Sequence, residues 1–181
     1  MIDFLKGGEE LMAIANQINR DLISGQQKVK EEAFYEILAP VPHPTSCRDA
    51  YAFRQHVEAA RRNRKVEMIA EFDQYPVFYF TNHNSICGPG EVRCMPDHFN
   101  KLDFELEIAA VIGKKGRNIK AENADAYIAG YMIMNDLSAR TLQMEEMLLN
   151  LGPAKGKDFA TVIGPWLVTD SIRNNQFFFF Q

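Results

Sequence analysis

Glu105 and Glu107 stand two residues apart in "LDFELEIAAVIGKKGRNI" (residues 102–119), and that spacing has chemical consequences. In a β-strand their Cα atoms lie roughly 6.6 Å apart on one face, because each residue rises about 3.3 Å. Two carboxylates so placed can converge on one hard cation, and unpaired they repel each other. The competing reading is the wet half of an amphipathic strand. Asp136, in "GYMIMNDLSAR", offers a third carboxylate; it is equally well suited to cap the helical run after it. Asp49 and His56 lie seven residues apart in "RDAYAFRQH". On a helix that interval returns to nearly the same face two turns on, too far for both to bind one small ion. It would suit an aspartate on a metal and a histidine on a metal-side water, or a plain capping Asp and a partly exposed His.

Two cationic positions accompany these acids. Arg140 shares a helical face with Gln143 and Met147 through the i, i+3, i+7 rule. Lys157 lies in "AKGKDF", a glycine-flexed loop. That loop is not a phosphate-binding Walker sequence: the glycine spacing is wrong, and Asp158 stands where a Ser or Thr would meet magnesium.

The elements expected to carry these residues can be read from periodicity. In the opening stretch Leu102, Phe104, Leu106 and Ile108 alternate onto one strand face and are expected to pack inward. The opposite face runs from Asp103, Glu105 and Glu107 into Ala109 and Val111, so it turns apolar at its far end. "EELMAIANQINRDLIS" predicts a helix closed by Gly25. "AFYEILAPVPHPTS", with three prolines, predicts an extended connector. "RDAYAFRQHVEAARRNRK" predicts a helix and "YPVFYFTN" an aromatic strand, with a tight turn at Gly88-Pro89-Gly90. "ENADAYIAGY" is helix-like and "YMIMN" a strand. "DLSARTLQMEEMLLNLG" is helical and "FATVIGPWLVT" a last strand. Without regular βαβ alternation, the expected class is α+β with a mixed, mainly antiparallel sheet and flanking helices.

Composition narrows the remaining possibilities. The 181 residues are 46% hydrophobic and 24% charged, ordinary for a globular domain. A net charge of −4 argues against a nucleic-acid partner, and the basic run Arg61, Arg62, Arg64, Lys65 reads as a solvated helix end. No apolar run approaches the ~20 residues that span a bilayer. Cys47, Cys87 and Cys94 lack C-x-x-C spacing and read as reduced thiols, which places the chain in the cytoplasm. The ending "NNQFFFFQ" sets four phenylalanines together with nothing after them to cover their faces. The expected division is an N-terminal helical segment and connector over residues 1–37, then a catalytic domain over 38–181 that is incomplete at its C-terminal end.

Taken together and in order, "RDAYAFRQH", "DFELEIAAVIGKKGRNI", "AYIAGYMIMNDLSAR" and "GKDFATVIGPWLV" resemble the fumarylacetoacetate hydrolase family in its catalytic domain, over roughly residues 38 to 170. The resemblance implies a β-roll or sandwich, and metal ligation by Glu105, Glu107, Asp136 and Asp49. It implies His56 as general base and Arg140, Gln143 and Thr161 as substrate contacts, with Lys157 joining Arg140 in catalysis. It further implies Mg²⁺ or Ca²⁺ as cofactor, with Mn²⁺ a further option, and a homodimer acting on a small dicarbonyl acid. The activity implied is hydrolysis of a carbon–carbon bond in a fumarylacetoacetate- or acylpyruvate-type substrate, of the kind met in aromatic catabolism. Oxaloacetate decarboxylation or isomerisation within the same family is the alternative, as is a truncated, non-catalytic metal-binding remnant.

Overall fold

The computed structural model describes residues 2–28, 36–150, 152–169 and 179–180. Two helices open the chain, α1 (Ile2–Lys6) and α2 (Gly8–Ile23). After α2, Gly25 turns the backbone at a φ of 74°, a conformation cheap only for glycine. The next strand is β1 (Cys47–Ala50), and the helix α3 (Arg54–Asn63) starts only afterwards. Asp49 is therefore a strand residue, and the helical relation expected between Asp49 and His56 does not hold. β1 pairs antiparallel with β2 (Phe78–Thr81), which places Asp49 directly opposite Tyr79.

A six-stranded sheet forms the body of the fold. Its central strand is β6 (Ile128–Asp136), longer than expected because it takes in the stretch read as the end of a helix. On one side β6 pairs antiparallel with β5 (Leu106–Ile112). On the other it pairs with β8 (Thr161–Ile163) and β9 (Leu167–Thr169). The single expected last strand is thus two, parted at Gly164-Pro165, where the glycine takes a φ of 115°. β3 (Ile86–Cys87) runs parallel to β8, and β10 (Phe179–Phe180) pairs with β9; Phe177 and Phe178 lie outside the described residues. All the other pairings are antiparallel, so the class is α+β as expected. A small third sheet joins β4 (Leu102–Asp103) to β7 (Ser138–Ala139), just ahead of the helix α4 (Arg140–Met147) and the short helix α5 (Ala154–Lys157).

The core sits on the face of the large sheet that carries Met132, Met134, Ile163 and Leu167, closed by Ala39, Val41 and Leu5. Ala109 and Val111 pack against it, so the Glu105/Glu107 face of β5 is the inner one. This reverses the expected packing. Leu106 and Ile108 are 75% and 62% exposed, and Leu102 and Phe104 also face out. Alternation separates the two faces of a strand but does not say which is buried. Here the apolar residues of β6, β8 and β9 decided it.

Candidate metal centre

The site forms where the strands of all three sheets end. Glu105 occupies the break between β4 and β5. Its carbonyl accepts the Asp136 N–H at 3.0 Å, and its own N–H donates to Asn135 Oδ1 at 3.2 Å. Glu107 follows two residues on, and Asp136 ends β6 with its side chain 1% exposed. β1 brings Asp49, 9% exposed, from the other side. The four carboxylates each present an oxygen within 4.8 Å of the others. Asp136 does not cap α4, whose N-cap position is Ala139.

Lys157 enters this cluster from α5. The N-terminal end of that helix is tied down by Glu146, which accepts the Lys155 N–H at 2.6 Å. Gly156 makes the approach feasible, since a Cβ there would lie 2.6 Å from the Gln143 backbone nitrogen. Lys157 Nζ donates to Asp136 Oδ2 at 2.7 Å and to Glu105 Oε2 at 2.9 Å, almost wholly buried. Arg140, on the first turn of α4, pairs with Glu105 Oε1 at 2.6 Å and Asp103 Oδ2 at 2.8 Å. It also donates to Gln143 Oε1 at 3.1 Å, so these two predicted substrate contacts are joined.

The charges are not balanced. Two cations face four carboxylates, and Arg140 is shared with Asp103. Burial pushes Glu107 up to about 8, helped by the negative charges of Asp49, Asp136 and Glu105. Burial likewise raises Asp136 to about 6, against the pull of Lys157. Glu105 goes the other way: burial opposes its charge, but Lys157 and Arg140 outweigh that and hold it below the usual carboxylate range. Asp136 Oδ1 is buried with no hydrogen-bond partner. An all-oxygen set with surplus negative charge and an orphaned oxygen fits a hard divalent cation such as Mg²⁺ or Ca²⁺ better than zinc.

The other predicted positions are more dispersed. His56 lies exposed in the first turn of α3, its ring 6.3 Å from that of Tyr51. Thr161 is fully buried opposite Asp136 at the start of β8, with its hydroxyl oxygen unpartnered. Three residues emerge that the sequence reading missed: Tyr79, bridging Asp49 and Asp136; Asn135, orienting Glu105; and Asp103, holding Arg140. The alternation of Asp103 with Glu105 and Glu107 was a visible signal for Asp103. A cavity of about 310 Å³ opens beside the cluster, lined by Tyr79, Thr81, His83, Lys157 and Asp158 among others.

The family model described as "Fumarylacetoacetate (FAA) hydrolase C-terminal" matches residues 45–177. The mitochondrial oxaloacetate tautomerase Fahd2a of Rattus norvegicus is 32% identical over 176 residues, covering 93% of this chain and 50% of that protein. Fumarylacetoacetase of Oryza sativa subsp. japonica is 50% identical over 72 residues, 38% of this chain and 17% of the relative. A probable 2-hydroxyhepta-2,4-diene-1,7-dioate isomerase from Mycobacterium abscessus superposes with a TM-score of 0.59 at 28% identity, covering 92% of this chain and 54% of the other. The chain spans about half the length of the curated relatives that it matches most fully.

Proposed function

The chain belongs to the fumarylacetoacetate hydrolase family, and from that premise we propose that it is a metal-dependent hydrolase cleaving a carbon–carbon bond in a small dicarbonyl acid. The observation that carries this reading is the cluster of Asp49, Glu105, Glu107 and Asp136, which each present an oxygen within 4.8 Å of the others, with Asp136 Oδ1 buried and unpartnered. These four residues would hold Mg²⁺ or Ca²⁺, which supplies Lewis-acid polarisation of the substrate's carbonyl oxygens when bound. Lys157 and Arg140 would meet the negative charge that develops as the carbon–carbon bond breaks. Gln143, held by Arg140, and Thr161 would position substrate oxygens. His56 would accept a proton from the attacking water. The cavity beside Lys157 is of a size for a small acid.

A local likeness, 50% over 72 residues, is to a fumarylacetoacetase, and it favours hydrolysis. The likeness that covers most of the chain is to oxaloacetate tautomerases, and it favours keto–enol conversion as the second reading. Incubation with acylpyruvates and with oxaloacetate, with Mg²⁺ and with a chelator, separates the two. Hydrolysis predicts Mg²⁺-dependent release of pyruvate from acylpyruvates. Interconversion of oxaloacetate tautomers without release of pyruvate from acylpyruvates would establish the second reading instead. We also infer a homodimer, on family resemblance alone. No helix among the described residues is long and apolar enough to cross a membrane. The three free thiols fit the cytoplasm, whereas the oxaloacetate tautomerases among the relatives are mitochondrial by name.

A further inference from the structure

We propose that Tyr79 is a positioning residue for the cation site, setting the orientation of Asp49 and Asp136 so that each keeps an oxygen directed at the ion; this rests on the cation reading above. Tyr79 stands directly opposite Asp49 in the β1–β2 pair, so the two side chains share a face. Its hydroxyl lies 2.7 Å from Asp49 Oδ2 and 3.1 Å from Asp136 Oδ2. One phenol oxygen thus ties the two-stranded sheet to the end of the central strand of the large sheet. Asp136 Oδ2 is the same atom that takes the Lys157 ammonium at 2.7 Å. With the ammonium donating and the phenol oxygen packed on that side, the carboxylate is held in rotation and its second oxygen, Oδ1, is left buried and unpartnered. A phenol carries a single proton, and the shorter contact gives it to Asp49. Tyr79 accordingly fixes one oxygen of Asp49 and leaves the other for a cation.

Carboxylates that ligate metals depend on such outer partners for their orientation, and loss of one commonly costs about 10–100-fold in metal affinity. The cost differs between ions. Mg²⁺ demands a near-octahedral set of short bonds, whereas Ca²⁺ tolerates looser and more varied geometry. A group whose work is orientation should therefore matter more for Mg²⁺ than for Ca²⁺. A group that only fills space, or only touches substrate, should not change that ratio.

The test is isothermal titration of Mg²⁺ and of Ca²⁺ into the full 181-residue chain and its Tyr79→Phe variant. The expected result is a Mg²⁺ Kd about 10–100-fold weaker in the variant, with a smaller change for Ca²⁺. Unchanged Kd values, or equal losses for both ions, would overturn the inference while leaving the cation reading intact. A wild-type chain that binds neither ion would overturn that reading and this inference together. Should the variant lose its far-ultraviolet circular dichroism, the wild-type chain decides. Mg²⁺ is then expected to produce a tyrosine difference spectrum in the near-ultraviolet, and a flat response alongside calorimetric binding overturns the proposal.

Discussion

Glu107→Gln is expected to lose Mg²⁺ binding by at least about 100-fold, beyond the range seen when only an outer partner is removed, and yet to stabilise the metal-free chain at pH 8 and above. The two effects have one cause. Glu107 is pushed from an ordinary 4.5 up to about 8 by burial and by Asp49, Asp136 and Glu105. Between pH 4.5 and 8 the folded chain holds a proton that the unfolded chain has released. The metal-free fold therefore draws stability from protonated Glu107 at low pH and loses it as pH rises through that window. Glutamine reproduces the neutral form, so it removes the loss and raises the metal-free melting temperature by at least ~2–4 °C, the shift about 1 kcal/mol gives in a domain of this size. Glutamine is a poor ligand for a hard cation, so the site is lost. For the wild type, binding must expel the Glu107 proton, and Mg²⁺ affinity should fall about tenfold per pH unit below 8. Melting curves and calorimetry across pH 6–9 check both halves. A variant that binds Mg²⁺ like wild type, or melts lower at pH 8, contradicts the assignment.

Lys157→Met carries the second large effect. The ammonium lies between Asp136 Oδ2 and Glu105 Oε2 with its side chain 4% exposed. Burial works against its charge, but Asp136 and Glu105 outweigh that and hold the lysine above its usual range. Methionine of similar length fills the space and removes the charge. Glu105 keeps Arg140, while Asp136 is left without a cationic partner as an uncompensated buried charge. Breaking one partner out of a buried pair typically costs about 3–5 kcal/mol. The metal-free variant should therefore melt far below wild type at pH 7.5. Mg²⁺ should restore most of that stability, because the ion replaces the missing charge. Turnover should remain depressed by about 10²–10³ even with Mg²⁺ saturating, since the donor meeting the developing negative charge is gone. Full turnover in Lys157→Met would remove the lysine from the proposed chemistry.

Much of the site was legible in the sequence, and for a definite reason. Glu107 and Asp136 sit on strands whose period could be counted, and the short motifs that resemble the family kept them in order with Glu105, Asp49 and Lys157. What periodicity alone left open was their meeting in space. Glu105 lies in a break of the strand, held by Asn135, and Asp49 arrives on a separate two-stranded sheet. The expected helix across residues 48–65 failed at its front because pairing of Cys47–Ala50 with Phe78–Thr81 overrode the local pattern. Tyr79 went unnoticed because an aromatic in an aromatic strand has no distinguishing spacing, and its role exists only through the Asp49–Tyr79 register. The apolar set Leu102, Phe104, Leu106 and Ile108 was placed on the wrong side. Both faces of that strand offer apolar residues, and the choice belongs to Met132, Met134, Ile163 and Leu167, which lie 20 residues or more away in sequence.

The central claim is that Asp49, Glu105, Glu107 and Asp136 hold one divalent cation. Crystals of the chain soaked in Mn²⁺ and measured at the manganese absorption edge test it most directly. One anomalous peak is expected between the four carboxylates, within about 2.0–2.6 Å of their oxygens. Well-ordered crystals with Mn²⁺ bound elsewhere, or with Lys157 still bridging Glu105 and Asp136 and no peak among the four, would contradict it.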